Sequence, residues 1–386
     1  MKWTVGAYHS RAALRSSLPI NSPHYTRLYQ LRFGRTPAQA GVAPLVNGVS
    51  RYYGDEWTLE KSMAIFGSVD WEVIDDLTLT LGGRKSRDTL DFDVTERGVN
   101  YAGGITRAFG SLKETPFVPK IALSWQADPD FLVYASYAKG YRTGGVNKAL
   151  PDVCLPEAAS LGLTPGVYKS DTTHSYEIGT KGRLFDRRLQ FEASAFRIKW
   201  NDIQQQIRMQ CAVSLVANTV SATSKGFDLN LNLSLAEGLL VGASVGYTDA
   251  AYDKTVQLPG ATAPITVAGQ TLGQTPWTVN LTAEYRRPLL GNEAFVRAQY
   301  NYRSVNKGLY LYEVPTATTY DPTRVDPSSP SSLDLRAGME FGALTIMVYG
   351  ENVMNNVKNI SGTNLTSSAA LYGPDPHCVR GPWACS

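Results

Sequence analysis

The chain has 386 residues, 43% of them hydrophobic and 10% aromatic, with 34 Gly, 21 Tyr and a formal net charge of +3. Mean hydropathy is slightly negative, and no apolar run reaches the roughly 18 residues of a membrane helix, which excludes that element. So small a charge leaves no electrostatic footprint for nucleic acid.

In chain order, period-two alternation predicts strands near 3–10, 61–73, 77–96, 113–127, 131–143, 174–185, 188–206, 216–235, 239–252, 275–288, 294–304, 332–341 and 344–354. The pattern is clearest where Phe227, Leu229, Leu231, Leu233 and Leu235 interleave with Asp228, Asn230, Asn232 and Ser234. It recurs at Trp277, Val279, Leu281, Ala283 and Tyr285, and again at Leu333, Leu335, Ala337, Met339 and Phe341. Alternate side chains of a strand point to opposite faces, so each strand has one apolar and one polar face.

Alternation alone fits a soluble sandwich as well as a membrane barrel. Length favours the barrel, because a bilayer strand needs about 9–11 residues and globular strands average about 5–6. The connections also alternate. Short ones fall at 74–76, 127–130, 186–187, 236–238, 289–293 and 342–343, and long ones at 11–60, 144–173, 253–274 and 305–331. Short periplasmic turns and long extracellular loops are the habit of outer-membrane barrels.

Within 188–206 the apolar set moves from the odd positions Leu189, Phe191, Ala193 and Ala195 to the even positions Phe196, Ile198 and Trp200. A one-residue β-bulge near Ala195 would restore one lipid face. Trp3, Trp71, Trp125, Trp200, Trp277 and Tyr302 lie near strand ends, where two interfacial girdles are expected. Lys120, Arg142, Glu177, Lys181, Arg183, Asp228, Arg286, Arg297, Asp334 and Arg336 are expected to line a wet interior.

Nothing in the chain points to enzymatic chemistry. Asp75-Asp76 and Asp186-Arg-Arg188 read as turn charges, and Gly82-Gly83 and Gly144-Gly145 lack the lysine and helix of a phosphate loop. His9, His24, His174 and His377 are scattered, so neither a metal nor a cofactor is expected. Cys154 and Cys211 both fall in long connections on the oxidising side, where they either pair or stand as free thiols.

The stretch Tyr134-Ala-Ser-Tyr-Ala-Lys-Gly-Tyr-Arg-Thr-Gly-Gly-Val-Asn147 resembles the mid-barrel signature of TonB-dependent receptors, the gated transporters of the Gram-negative outer membrane. Tyr176-Glu-Ile-Gly-Thr-Lys-Gly182, Lys199-Trp-Asn-Asp-Ile-Gln204, Ser224-Lys-Gly-Phe-Asp228 and Glu351-Asn-Val353 resemble later landmarks of the same barrel in the same order. The resemblance runs from about Trp3 to Val357. It implies an all-β, antiparallel transmembrane β-barrel of which about thirteen of some 22 strands are present, leaving a partial barrel that is open or gapped.

On that reading residues 1–373 are the partial barrel, with no signal peptide and no plug domain in the chain. The Pro- and Cys-rich stretch 374–386 is expected to be an aberrant tail, possible as a frameshift, that holds Cys378 and Cys385. The resemblance further implies active import of a ferric siderophore or similar scarce nutrient, with outer-membrane lipid around the wall and the TonB complex met only through a missing N-terminal part. Its ligand-gripping side chains are expected among Arg51, Tyr52, Tyr53 and Trp57 in the first loop, Arg142, Thr143 and Asn147, and Tyr310 and Tyr312. The alternatives are a passive porin-like channel and an extracellular β-sandwich that binds ligands.

Overall fold

The computed structural model describes residues 1–101, 104–211, 213–306, 308, 324–325, 327–358, 360 and 363–364. In chain order its strands are β1 (Lys2–Asn21), β2 (Ser50–Ile74), β3 (Leu77–Gly98), β4 (Ile105–Glu114), β5 (Phe117–Asp128), β6 (Phe131–Arg142), β7 (Gly145–Val146), β8 (Val167–Tyr168), β9 (Asp171–Leu184) and β10 (Leu189–Arg208). They continue with β11 (Ser214–Ala236), β12 (Leu239–Tyr252), β13 (Trp277–Leu289), β14 (Asn292–Arg303), β15 (Arg324–Val325), β16 (Ser331–Phe341), β17 (Leu344–Gly350) and β18 (Thr363–Asn364). Helices α1 (Tyr25–Phe33) and α2 (Leu155–Ser160) lie in loops.

One sheet follows the order β1-β2-β3-β5-β6-β9-β10-β11-β12-β13-β14-β16-β17, an antiparallel meander whose neighbours in sequence are neighbours in space. A single sheet is not a sandwich, which needs two packed face to face. Among the described residues β1 and β17 do not pair with each other, so the wall is curved and open.

The strand 113–127 expected from sequence is two. β4 and β5 lie end to end along β3, Asp88 opposite Glu114 and Lys85 opposite Phe117 in one unbroken register. Pro116 interrupts them because it has no N–H to give the ladder, although its carbonyl still accepts from the Ser86 N–H at 3.1 Å. The pair therefore makes one lane of the wall.

The expected long first loop, 11–60, is much shorter. β1 and β2 stay paired from Lys2↔Asp70 up to Asn21↔Ser50, leaving only 22–49 as connection. Arg51, Tyr52, Tyr53 and Trp57 consequently sit on β2 rather than in a loop. Above the bilayer both faces of a ribbon are wet, so the polar run Ser10 to Ser17 carries no apolar stripe to betray a strand.

No bulge occurs at Ala195, which pairs in regular register with Ile178 and Phe227. The irregularity comes later, between Trp200 and Gln204, where Asp202 takes a φ of 54°. Phe196, Ile198 and Trp200 are inward-facing instead. Phe196 lies over Gly226 on the next strand, where a Cβ would approach its ring to 2.9 Å, so an aromatic ring covers the backbone that a glycine leaves bare. Trp200 is therefore no girdle residue. Trp3, Trp71 and Trp125 lie on the outward face near the short turns, and Trp277 and Tyr302 on the same face near the long loops.

Opposed residues of an antiparallel pair share a face, and the register carries that parity across the sheet. Val133, Ala193, Leu229, Val245 and Val279 fall on one face, Tyr134, Ser194, Asp228, Gly246 and Thr278 on the other. All ten charged residues expected to face inward share the polar side. The two buried apolar clusters gather at the outer ends of β10, β11 and β12 and under the long loops above them.

Candidate functional site: the outer mouth

The connection 143–170 folds over the tops of β9, β10 and β11, held by side chains rooted in the strands. Arg142, the last residue of β6, grips the buried Asp171 carboxylate that opens β9, and its guanidinium lies 5.5 Å from the Trp200 ring. Asp171 also accepts the Gln204 N–H at 3.3 Å, and the Gln204 amide donates to the carbonyls of Thr143 at 2.8 Å and Lys169 at 3.2 Å. The irregular pairing at 200–204 belongs to this junction.

A second carboxylate closes the base of the loop from the other side. Glu114 accepts the Gly144 N–H at 3.1 Å and both the N–H and hydroxyl of Ser170 at 2.8 Å. Gly144 must be glycine here, since a Cβ would fall 2.3 Å from the Tyr168 carbonyl oxygen. Asn147 is buried and clips the loop to β11, donating to the Val216 carbonyl at 2.8 Å and accepting its N–H at 2.7 Å.

Further out, Cys154 and Cys211 form a disulfide with Cα atoms 5.6 Å apart. Cys154 is fully buried among Leu150, Ala158, Leu163, Ile207 and Leu215. Beside it the Glu157 carboxylate accepts the N–H groups of Gln210 at 2.7 Å and Cys211 at 3.2 Å. The loop thus has a small core, a staple and a capped turn of its own.

A further carboxylate anchors the β2–β3 ribbon. Glu96 is buried and accepts from the hydroxyls of Tyr52 at 2.7 Å and Tyr101 at 2.5 Å, with the Lys148 ammonium 3.9 Å from both Glu96 and Glu56. Burial first, and the hydrogen bond to the Glu96 carboxylate second, push both phenols well above the ordinary tyrosine pKa. Both therefore stay neutral donors.

Of the residues expected to grip a ligand, Arg142, Thr143 and Asn147 come together at the loop base, and Tyr52 joins them through Glu96 and Lys148. Arg51, Tyr53 and Trp57 fall on the opposite parity of β2, the face continuous with the apolar one. Tyr310 and Tyr312, like the tail 374–386, lie outside the described residues. Sequence reasoning missed Glu96, Glu114, Asp171 and Gln204. All four are polar residues at inward positions, but only Asp171 directly flanks a long connection, so it alone carried a local signal that would have found it.

Below the mouth the inner wall is concave. A hollow of about 470 Å³ borders Tyr8, Glu60, Arg84, Asp88, Glu114 and Thr143. A second of about 530 Å³ borders Asp228, Asn230, Asn280, Asn301, Arg303 and Asn352.

A curved antiparallel wall that is apolar outside and polar inside, with its described long loops at one end, is the architecture of an outer-membrane β-barrel. The profile of the TonB dependent receptor-like, beta-barrel family matches residues 4–355, and the chain belongs to that family, whose members sit in the outer membrane of Gram-negative bacteria. It is 26% identical over 194 residues to the ferric-pyoverdine BN7/BN8 receptor of Pseudomonas putida, covering 49% of this chain and 21% of that protein. Against the ferripyoverdine receptor of Pseudomonas aeruginosa identity is 25% over 209 residues, covering 52% and 22% respectively. Each alignment spans about a fifth of the relative's length. The ferric yersiniabactin uptake receptor of Yersinia pestis shares the fold with a TM-score of 0.64 at 14% identity, over 95% of this chain and 48% of its own.

Proposed function

We propose that this chain forms the wall and outer mouth of an active importer that carries a ferric siderophore, or a similarly scarce nutrient, across the outer membrane with inner-membrane energy delivered through TonB. It performs no covalent chemistry. The observation that carries the reading is the family match over residues 4–355 joined to a stapled mouth above a polar inner wall. The related receptors named for ferric pyoverdine support the siderophore class.

Capture falls to the inward side of the mouth. Arg142 stays half exposed although Asp171 and Trp200 fix its direction, so it presents a fixed cation to an anionic chelate at no further cost in ordering. Thr143 borders the hollow beneath, and Tyr52 lies on the same inward parity, whereas Arg51, Tyr53 and Trp57 face away from it. Asn147 acts one step removed, by holding the loop to β11.

The test is uptake of radio-iron as ferric pyoverdine by cells that make this protein and lack other siderophore receptors. Uptake that an uncoupler abolishes, and that Arg142→Gln weakens, supports the proposal. Ion conductance in planar bilayers with no energised uptake of any chelate would replace it with a passive channel.

A further inference from the structure

The outward face of the wall carries a cationic cluster that neither the mouth nor the interior uses. Leu184, Leu189, Leu233, Val241 and Ala283 share one outward row near the short turns. Six positions further up β10, Ala195 shares a row with Ile178, Phe227, Tyr247 and Trp277, whose three rings pack with centroids 4.7–5.9 Å apart. The next row up is Tyr137, Tyr176, Arg197, Lys225 and Asp249, and the one above it Lys139, His174 and Lys199.

From Leu189 to Lys199 is about 33 Å along a strand, or about 25 Å along the axis at a tilt of about 40°, which equals the height of a barrel's apolar band. The basic rows therefore stand at the headgroup level of the outer leaflet, directly above an aromatic row.

Pairing and place together set this cluster apart, since inward cations without a partner among the described residues, such as Lys181 and Arg336, face the wet interior, whereas these stand on the outward face. On the inward face Arg183 meets Asp130, and Arg286 and Arg297 meet Glu284. On the outward rows Lys225 meets Asp249 at 3.4 Å, and the His174 Nδ1 lies 3.0 Å from the Tyr137 hydroxyl. Lys139, Arg197 and Lys199 make no side-chain hydrogen bond or ion pair to any described residue. Strand geometry sets these three on the order of 7–12 Å apart, close enough for their long side chains to converge on one or two phosphates. Held together without an anion, they repel one another.

We propose that Lys139, Arg197 and Lys199 form a site for the phosphate groups of an outer-leaflet lipid headgroup, whose acyl chains lie along the aromatic and aliphatic rows below. Arg197 supplies the forked donor that suits phosphate, and the two lysines act as point charges beside it. A ligand with acyl chains satisfies both halves of the surface, whereas a free anion would use only the upper half.

The proposal rests on the apolar face meeting lipid, a reading that fails separately if the protein stays in solution without detergent. The test uses the full chain extracted in nonionic detergent, with diphosphoryl lipid A added to the micelles and binding read by native mass spectrometry. Each of Lys139→Gln, Arg197→Gln and Lys199→Gln lowers affinity about fivefold and the triple variant about a hundredfold, since each basic residue near an anionic surface contributes comparably. The inward triple Lys120→Gln/Lys181→Gln/Arg336→Gln, equal in charge change, stays within about twofold of the unmodified protein. Lipid stripped of its phosphates binds the unmodified protein no better than the outward triple variant binds the intact lipid. Equal binding by the unmodified protein and the outward variants, an equal loss in the inward triple, or complete displacement by inorganic phosphate overturns the proposal. Should the outward triple not fold, the three single variants decide it.

Discussion

Removing the Cys154–Cys211 bond loosens the mouth while leaving the wall intact, and the size of the effect follows from where the tethers are anchored. The two cysteines are 57 residues apart, which for a fully unfolded chain corresponds to about 4 kcal/mol of loop-closure entropy. The loop opens without the barrel, however, because β6, β9, β10 and β11 remain paired. Only the stretches from Arg142 to Cys154 and from Arg208 to Cys211 are freed, about 15 residues together, so the local contribution is about 3 kcal/mol. That converts to a roughly hundredfold rise in the open fraction. The assay is amide exchange of the 149–165 and 209–216 segments in detergent, with and without a thiol reductant, and with the double variant Cys154→Ala/Cys211→Ala. Both segments should exchange about a hundredfold faster, while 239–252 and 277–289 stay unchanged. A change under about threefold in the loop would refute the reasoning, because the apolar cluster and the Asn147 clip would then hold the loop unaided. An equal change throughout the wall would refute it differently, by showing that mouth and wall unfold together.

Leu229→Arg, close to the middle of the apolar band, should cost about 2–4 kcal/mol in a refolding titration, while Leu281→Arg, nearer the short turns, costs about 1 and inward Asn230→Arg less than that; equal costs at all three would mean that this face does not meet lipid. Glu96→Gln should lower the pH at which Tyr52 and Tyr101 ionise, read by phenolate absorbance. Because both folded pKa values are raised, their contribution to stability is complete below the ordinary value of about 10 and is lost as pH climbs toward the folded values. An unchanged phenolate titration in the variant would argue against Glu96 as the partner. An epitope inserted at 260 should be reached by antibody on intact cells, and one at Glu237-Gly238 only after the outer membrane is opened. The converse would reverse the orientation.

The wall was legible because lipid and water impose opposite chemistries on alternate residues. From Phe227 to Leu235 that contrast is nearly perfect, and the strand boundary there differs by only a residue or two. Legibility failed wherever the contrast vanishes. The upper half of β1 is wet on both faces, so its twenty residues read as eight. The switch of apolar parity at Phe196 looked like a bulge because an inward aromatic is indistinguishable in sequence from an outward one. Its reason, Gly226 on the neighbouring strand, is a contact thirty residues away. At the mouth, Gly144-Gly145 and Arg142 were visible in a motif. The carboxylates that fix them were not, since Asp171 and Glu96 are buried, and Glu114 finds its partners, only once distant loops settle over them.

Two kinds of cohesion meet at the level of the aromatic row, and they explain why the buried clusters lie where they do. Below that level each strand between the edges β1 and β17 is satisfied by its two neighbours and its apolar side chains face outward, so the wall needs lipid rather than a protein core. Above it, water surrounds the ribbons and hydrophobic burial becomes available again. There Leu150, Cys154, Leu163, Ile207 and Leu215 assemble a core, and Glu114, Asp171 and Glu96 convert strand ends into anchors. Clusters of that size are marginal by themselves, which is why a covalent staple sits inside the larger one. The same division lets the mouth vary without disturbing the barrel. Changes in the 143–170 loop alter a unit whose attachments are a few named side chains, while the register that closes each lane is written in the wall below it.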